Sequence, residues 1–153
     1  MAMPKVGEVA PDFTLTSDKG DSVSLSALRG GPVVLYFYPR DDTSGCTAES
    51  CSIRDDYDAY QQAGVTILGV SPDSVASHVR FKEKYQLPFS LLADEDHSVL
   101  EAYGAWGMRK ERMGVLRTTF LIAPDGKIAH VFEQVKPQGH STEILAALKE
   151  VRP

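Results

Sequence analysis

A chain of 153 residues with 42% hydrophobic and 24% charged side chains is of a size for one domain over residues 1–153, and it holds no repeat or low-complexity tract that would leave it disordered. A formal net charge of -5 with scattered Lys and Arg excludes the basic footprint of a nucleic-acid binder. No window approaches the roughly 20 apolar residues that span a bilayer, and residues 1–8 carry no apolar leader core, so no membrane association and a cytoplasmic location are expected.

In chain order, alternating apolar residues over 12–16, the turn Asp18-Lys19-Gly20-Asp21 and a second alternating stretch over 22–25 predict an N-terminal hairpin. The run Val33-Val34-Leu35-Tyr36-Phe37-Tyr38 is short, apolar throughout and rich in β-branched and aromatic residues, which predicts a strand covered on both faces at the centre of a sheet. A polar loop from Pro39 to Gly45 follows, then a helix from Cys46 to about Ala63 with Gly64 at its C-terminal cap. Residues 65–70 read as the next buried strand. Ser71-Pro72-Asp73-Ser74 supplies capping chemistry for a helix to about Tyr85, and residues 89–92 form a short extended piece after Pro88.

A short helix is expected over 98–103, and the run Arg109-Lys110-Glu111-Arg112 reads as a solvated turn. Residues 118–122 and 128–132, joined by Pro124-Asp125-Gly126-Lys127, form the clearest hairpin, and an amphipathic helix over 141–151 closes the chain. Strands alternating with helices, followed by an antiparallel hairpin, predict an α/β fold with a thioredoxin-like layout: a mixed central sheet flanked by helices, preceded by the N-terminal β-hairpin.

The stretch Tyr36-Phe37-Tyr38-Pro39-Arg40-Asp41-Asp42-Thr43-Ser44-Gly45-Cys46-Thr47-Ala48-Glu49-Ser50-Cys51 puts a cysteine where a central strand hands over to a helix. A sulfur there faces unpaired backbone N–H groups and the positive end of the helix dipole, and both lower a thiol pKa from its free value of about 8.5. Such a thiolate can attack a hydroperoxide, break the O–O bond and become a sulfenic acid, which a nearby thiol converts to a disulfide. Cys51 is the other thiol of the chain. In a cytosol that keeps thiols reduced, two cysteines five positions apart point to cycling chemistry rather than a permanent staple. Charge moves from sulfur to the departing oxygen, so fixed donors are needed where it develops; Thr43 and an arginine could supply them.

The pattern Pro39-x-x-x-Thr43-x-x-Cys46 resembles the peroxidatic motif of the peroxiredoxins, and Cys46-x-x-x-x-Cys51 resembles their bacterioferritin comigratory protein (PrxQ) subgroup. Gly69-Val70-Ser71-Pro72-Asp73-Ser74, Leu87-Pro88-Phe89-Ser90-Leu91-Leu92-Ala93-Asp94, Tyr103-Gly104-Ala105-Trp106-Gly107-Met108 and Arg117-Thr118-Thr119-Phe120-Leu121-Ile122 are similar to that subgroup in the same order, so the resemblance covers essentially the whole chain. It implies a thiol peroxidase for hydrogen peroxide and organic hydroperoxides, with Cys46 as the peroxidatic thiol and Cys51 as the resolving one. It further implies that Thr43 bonds sulfur and peroxide, Pro39 shields the pocket, Arg117 stabilises the thiolate and holds the peroxide, and Glu49 orients the arginine. A thioredoxin-type dithiol as reductant, no cofactor, no metal and a monomeric state complete the expectation. Ser44 departs from the proline common in the subgroup but lies between the functional positions.

Each residue taken alone has a plainer reading. Thr43 would be an N-cap, Glu49 a first-turn helix residue, Arg117 a surface ion pair and Pro39 a strand end. His78, His97, His130 and His140 lack ligand spacing and are expected as solvated surface residues, while Trp106, Tyr36, Phe37 and Tyr38 are expected in the core, some of them lining the approach to the sulfur. Two other functions compete: a thioredoxin-like disulfide oxidoreductase, which would carry Cys-x-x-Cys, and a copper-delivery or redox-sensing module, which would want a further His or Met ligand. If both cysteines lie on one regular helix, their Cα atoms are about 8 to 9 Å apart and their side chains point about 140° apart. A disulfide tolerates at most about 7 Å, so the helix must unwind locally for the bond to close.

Overall fold

The computed structural model describes residues 3–109 and 112–151. The expected hairpin is present as β1 (Thr14–Ser17) and β2 (Ser22–Ser24), turned at Gly20 with the positive φ that a residue without Cβ adopts freely. A 3-10 turn, Leu25–Leu28, leads into β3 (Val33–Phe37). Then come α1 (Ser44–Asp55), α2 (Tyr57–Gln62), β4 (Thr66–Ser71), α3 (Val75–Tyr85), β5 (Ser90–Ala93) and α4 (Ser98–Ala102). The chain continues through β6 (Trp106–Arg109), β7 (Arg112–Val115), β8 (Thr118–Ile122), β9 (Ile128–Phe132) and α5 (His140–Leu148).

Seven strands form one mixed sheet in the order β2-β1-β5-β4-β3-β8-β9. β3, β4 and β5 run parallel, which requires the helical crossovers that α1, α2 and α3 provide, while β8 lies antiparallel to β3 on one side, with β9 antiparallel to β8 beyond it, and β1 lies antiparallel to β5 on the other. The period of two along β3 sorts the core into two layers. Val33, Leu35 and Phe37 face a layer with Leu68, Leu100, Tyr103 and Phe120; Val34, Tyr36 and the following Tyr38 face Cys46, Ile53, Tyr60, Phe81 and Ile144. β3 is buried along its whole length, as its apolar run demands.

Several expectations need correction. The helix expected from Cys46 to Ala63 begins two residues earlier, at Ser44, and is broken at Asp56, whose carboxylate accepts a hydrogen bond from the Ser141 hydroxyl of α5 at 2.7 Å. Aspartate trades helical regularity for such side-chain bonds readily. The antiparallel pair β6 and β7 was not anticipated, because its strands set Gly107 opposite Gly114 and leave Met108 and Met113 exposed, a weak strand signal. The solvated turn expected between them falls on Lys110 and Glu111, outside the described residues. His78 and His140 are buried rather than solvated, each hydrogen-bonded inside the fold, whereas His130 is exposed and His97 stacks on the half-buried Trp106 at 3.8 Å. No helix among the described residues is long and apolar enough to cross a membrane.

Candidate active site

The site assembles where β3 ends. The β3–β8 register pairs Phe37 with Thr118, so Arg117, immediately before β8, arrives beside the point where the chain leaves the sheet toward Cys46. A bond from the Val135 N–H to the Arg117 carbonyl (3.1 Å) fixes the arginine backbone from the other side. Pro39 is half-buried just past the strand end.

The loop that follows is pinned to α3. Asp41 is buried, and its carboxylate accepts from the Tyr38 hydroxyl (2.6 Å) and the Ser77 hydroxyl (2.8 Å) and bonds His78 Nδ1 (2.8 Å). His78 Nε2 lies 2.9 Å from the Leu92 carbonyl, so both ring nitrogens face acceptors. The Asp41 N–H donates to Asp73 (2.7 Å), which also accepts from the Ser71 hydroxyl. Asp42, with a left-handed φ of 59°, accepts from Lys84 (2.8 Å) and from the Tyr85 hydroxyl (2.7 Å). Asp41, Asp73 and His78 place one polar atom each within 4.8 Å of one another, and Asp41 Oδ2 and Asp73 Oδ2 already accept from the Ser77 and Ser71 hydroxyls.

Thr43 is the N-cap of α1 in extended conformation, yet its side chain makes no capping bond. It is exposed, and its hydroxyl donates to the Arg40 carbonyl (2.9 Å) rather than to sulfur. Cys46, the third residue of α1, is fully buried. Its Sγ accepts a hydrogen bond from Arg117 Nη2 at 3.1 Å, while Arg117 Nη1 donates to Glu49 Oε1 at 2.9 Å. One planar guanidinium therefore bridges the sulfur and a buried carboxylate. Burial pushes the Glu49 carboxyl up to about 7, with the Arg117 cation pulling partly back, and Oε2 has no hydrogen-bond partner.

Cys51 lies on the same helix and is half-buried, and both cysteines are free. Burial raises its thiol pKa, partly offset by Arg54. On a regular helix the two Cα atoms are about 8 to 9 Å apart, too far for a bond. Between them Ser50 shares a hydrogen bond with the Tyr36 hydroxyl of β3 at 2.8 Å, both groups being buried. A groove of about 420 Å³ opens beside the start of α1, lined by Ser44, Gly45, Ala48, Lys136, Pro137 and Gln138. Of the residues singled out from the sequence, Cys46, Glu49 and Arg117 come into direct contact; Thr43 and Pro39 flank them and Cys51 stands apart. The Asp41 network escaped sequence reading, since its partners lie up to 37 residues away and no local spacing announces them.

A buried cysteine at a strand-to-helix junction, bonded to an arginine that a buried carboxylate holds, is an arrangement suited to thiol chemistry on a mixed α/β sheet. The chain matches the AhpC/TSA family over residues 6–131 and belongs to it. It is 45% identical over 150 residues to the peroxiredoxin Bcp of Escherichia coli, covering 95% of this chain and 96% of that one. It is 43% identical over 151 residues to the peroxiredoxin Bcp of Bacillus subtilis, covering 96% of each. The solved bacterioferritin comigratory protein of Xanthomonas campestris superposes with a TM-score of 0.90 at 34% identity, covering 95% of this chain and 98% of that one. The protein is a peroxiredoxin of the Bcp/PrxQ type with the thioredoxin-like fold that its sequence pattern implied.

Proposed function

We propose that the protein reduces hydrogen peroxide and organic hydroperoxides at Cys46 and closes each turnover with a Cys46–Cys51 disulfide. The observation that carries this reading is the Arg117 guanidinium shared between Cys46 Sγ and Glu49. The guanidinium is a charged donor fixed on the sulfur, and it can follow the charge as it moves onto oxygen. The thiolate attacks one oxygen of the hydroperoxide: an S–O bond forms, the O–O bond breaks, and the electron pair departs on the second oxygen, which takes up a proton and leaves as water or an alcohol. Thr43, whose hydrogen goes to the Arg40 carbonyl, keeps oxygen lone pairs to accept from the peroxide O–H. Pro39 shields one side of the sulfur.

The Cys51 thiol then attacks Cys46 Sγ, the S–S bond forms, and the hydroxyl leaves as water with the Cys51 proton. This step requires the middle of α1 to unwind. A thioredoxin-type dithiol returns the pair to thiols by exchange, becoming a disulfide itself. The work on the Xanthomonas relative concerns alkyl peroxide reduction, which supports extending the substrate class beyond hydrogen peroxide. We assign the protein to a monomeric state in a cytoplasm that keeps thiols reduced, with no cofactor. Single-turnover kinetics with hydrogen peroxide and an alkyl hydroperoxide, followed by mass analysis of the 46–51 pair, test the scheme. A fast loss of peroxide with one disulfide formed is expected, and peroxide loss without oxidation of either cysteine would overturn it.

A further inference from the structure

Arg117 reaches the Cys46 sulfur across residue 45. Gly45 is the second residue of α1, and its backbone is not in the left-handed region, so the chain conformation there is open to any residue. Alanine is a better helix former than glycine, so stability alone would favour a side chain at this position. The space around it says otherwise. A Cβ added to Gly45 would stand 2.8 Å from Arg117 Nη2, 3.5 Å from Arg117 Cζ and 3.4 Å from Pro137 Cγ. Nη2 is the nitrogen that donates to Cys46 Sγ.

A separation of 2.8 Å from a methyl carbon is far inside the roughly 3.5–4.0 Å of ordinary contact, so one of the two groups must move. The helix backbone is held by the buried Cys46, Glu49, Ser50 and Ile53, and the guanidinium is the far end of a flexible side chain. The arginine therefore yields. Its fork is planar and rigid, with Nη1 already on Glu49, so displacing Nη2 from residue 45 draws it off the sulfur.

We propose that Gly45 is a positioning residue for peroxide reduction: the missing side chain at position 45 is the passage through which Arg117 reaches the Cys46 sulfur. This inference rests on the roles given above to Cys46 and Arg117.

The test compares wild type, Gly45→Ala, Arg117→Ala and the double variant for the second-order rate of Cys46 oxidation by hydrogen peroxide, with thermal midpoints in parallel. Gly45→Ala should keep or raise the midpoint while its rate falls by about tenfold or more. In the Arg117→Ala background it should add almost nothing, because its effect passes through the arginine. Gly114→Ala, where an added Cβ meets nothing within 4 Å, should leave the rate unchanged. A wild-type rate for Arg117→Ala would remove the arginine's role and the functional reading with it. If Arg117→Ala is slow, then three results overturn the Gly45 proposal alone: a wild-type rate for Gly45→Ala, a loss fully additive to that of Arg117→Ala, or failure of Gly45→Ala to fold.

Discussion

The two faces of the central sheet are built on different principles. On one, Leu35, Phe37, Leu100, Tyr103 and Phe120 meet as hydrocarbon and aromatic rings, and the Tyr103 hydroxyl finds the Pro11 carbonyl at the edge. On the other, Tyr36, Tyr38, Cys46, Glu49, Ser50 and His78 are just as buried, but each holds a directional bond to a named partner. Opening the first face would expose apolar surface to water at full cost. Opening the middle of α1 on the second face exposes a carboxyl and a hydroxyl that water solvates well, along with the less polar Cys46 thiol. One face is thus held by apolar packing and the other, which carries Cys46, also by directional bonds.

The sharpest way to break this comparison is at the sulfurs. Cys46→Ser should abolish peroxide consumption, whereas Cys51→Ser should allow one fast turnover and leave a trappable sulfenic acid; full steady-state activity of Cys46→Ser with thioredoxin would refute the assignment. Next, Arg117→Ala and Thr43→Val on the reactive face should each slow peroxide reduction by about a hundredfold or more with the fold intact. Leu35→Ala on the opposite face should do the reverse, costing about 2–5 kcal/mol of stability while the folded protein keeps its rate. Denaturant titration and stopped-flow rates on the three variants decide the matter, and a slow Leu35→Ala enzyme of normal stability would erase the distinction.

Motion separates the faces further. Hydrogen exchange on reduced and oxidised protein should show protection over residues 46–54 disappearing on oxidation, with β3 and α4 unchanged. Equal protection in both forms, with the disulfide confirmed by mass, would rule out local unwinding. The opening should also depend on pH. With its carboxyl raised to about 7 in the wound helix, Glu49 favours the wound state fully below its exposed value of about 4.5, and that contribution is lost as pH rises through about 7. Exchange protection of α1, corrected for intrinsic rates, should therefore fall between about pH 5 and 7.5 in wild type and stay flat in Glu49→Gln. The smallest effect is expected for Tyr36→Phe, which deletes the tether to Ser50: about 1 kcal/mol, read as roughly fivefold lower protection at residues 50 and 51.

Legibility in the sequence followed the range of the interactions. The burial of β3 on both faces, the cap at Ser74 and the hairpin of β8 and β9 came from local patterns that a repeating backbone makes readable. The break at Asp56 did not, because it depends on Ser141 arriving from α5. The burial of His78 and His140 is illegible for the same reason: isolated histidines carry no sign of the Asp41 or Thr119 that they bond. β6 and β7 leave little trace in the sequence because paired glycines and exposed methionines mute the alternation.

By itself, then, the sequence determined the order of the strands of the main sheet and of the helices between them apart from the break at Asp56, the placing of Cys46 at a strand-to-helix junction, and the separation of the two sulfurs by helical geometry. These are properties of neighbouring residues and of the backbone repeat. Only the tertiary structure decided that one guanidinium would touch both Cys46 and Glu49, that Gly45 would leave the space for it, and that the loop before the sulfur would be anchored through Asp41. The two guanidinium contacts join positions 68 and 71 residues apart, and they exist because the register of β3 against β8 brings Arg117 to the end of the strand from which α1 departs.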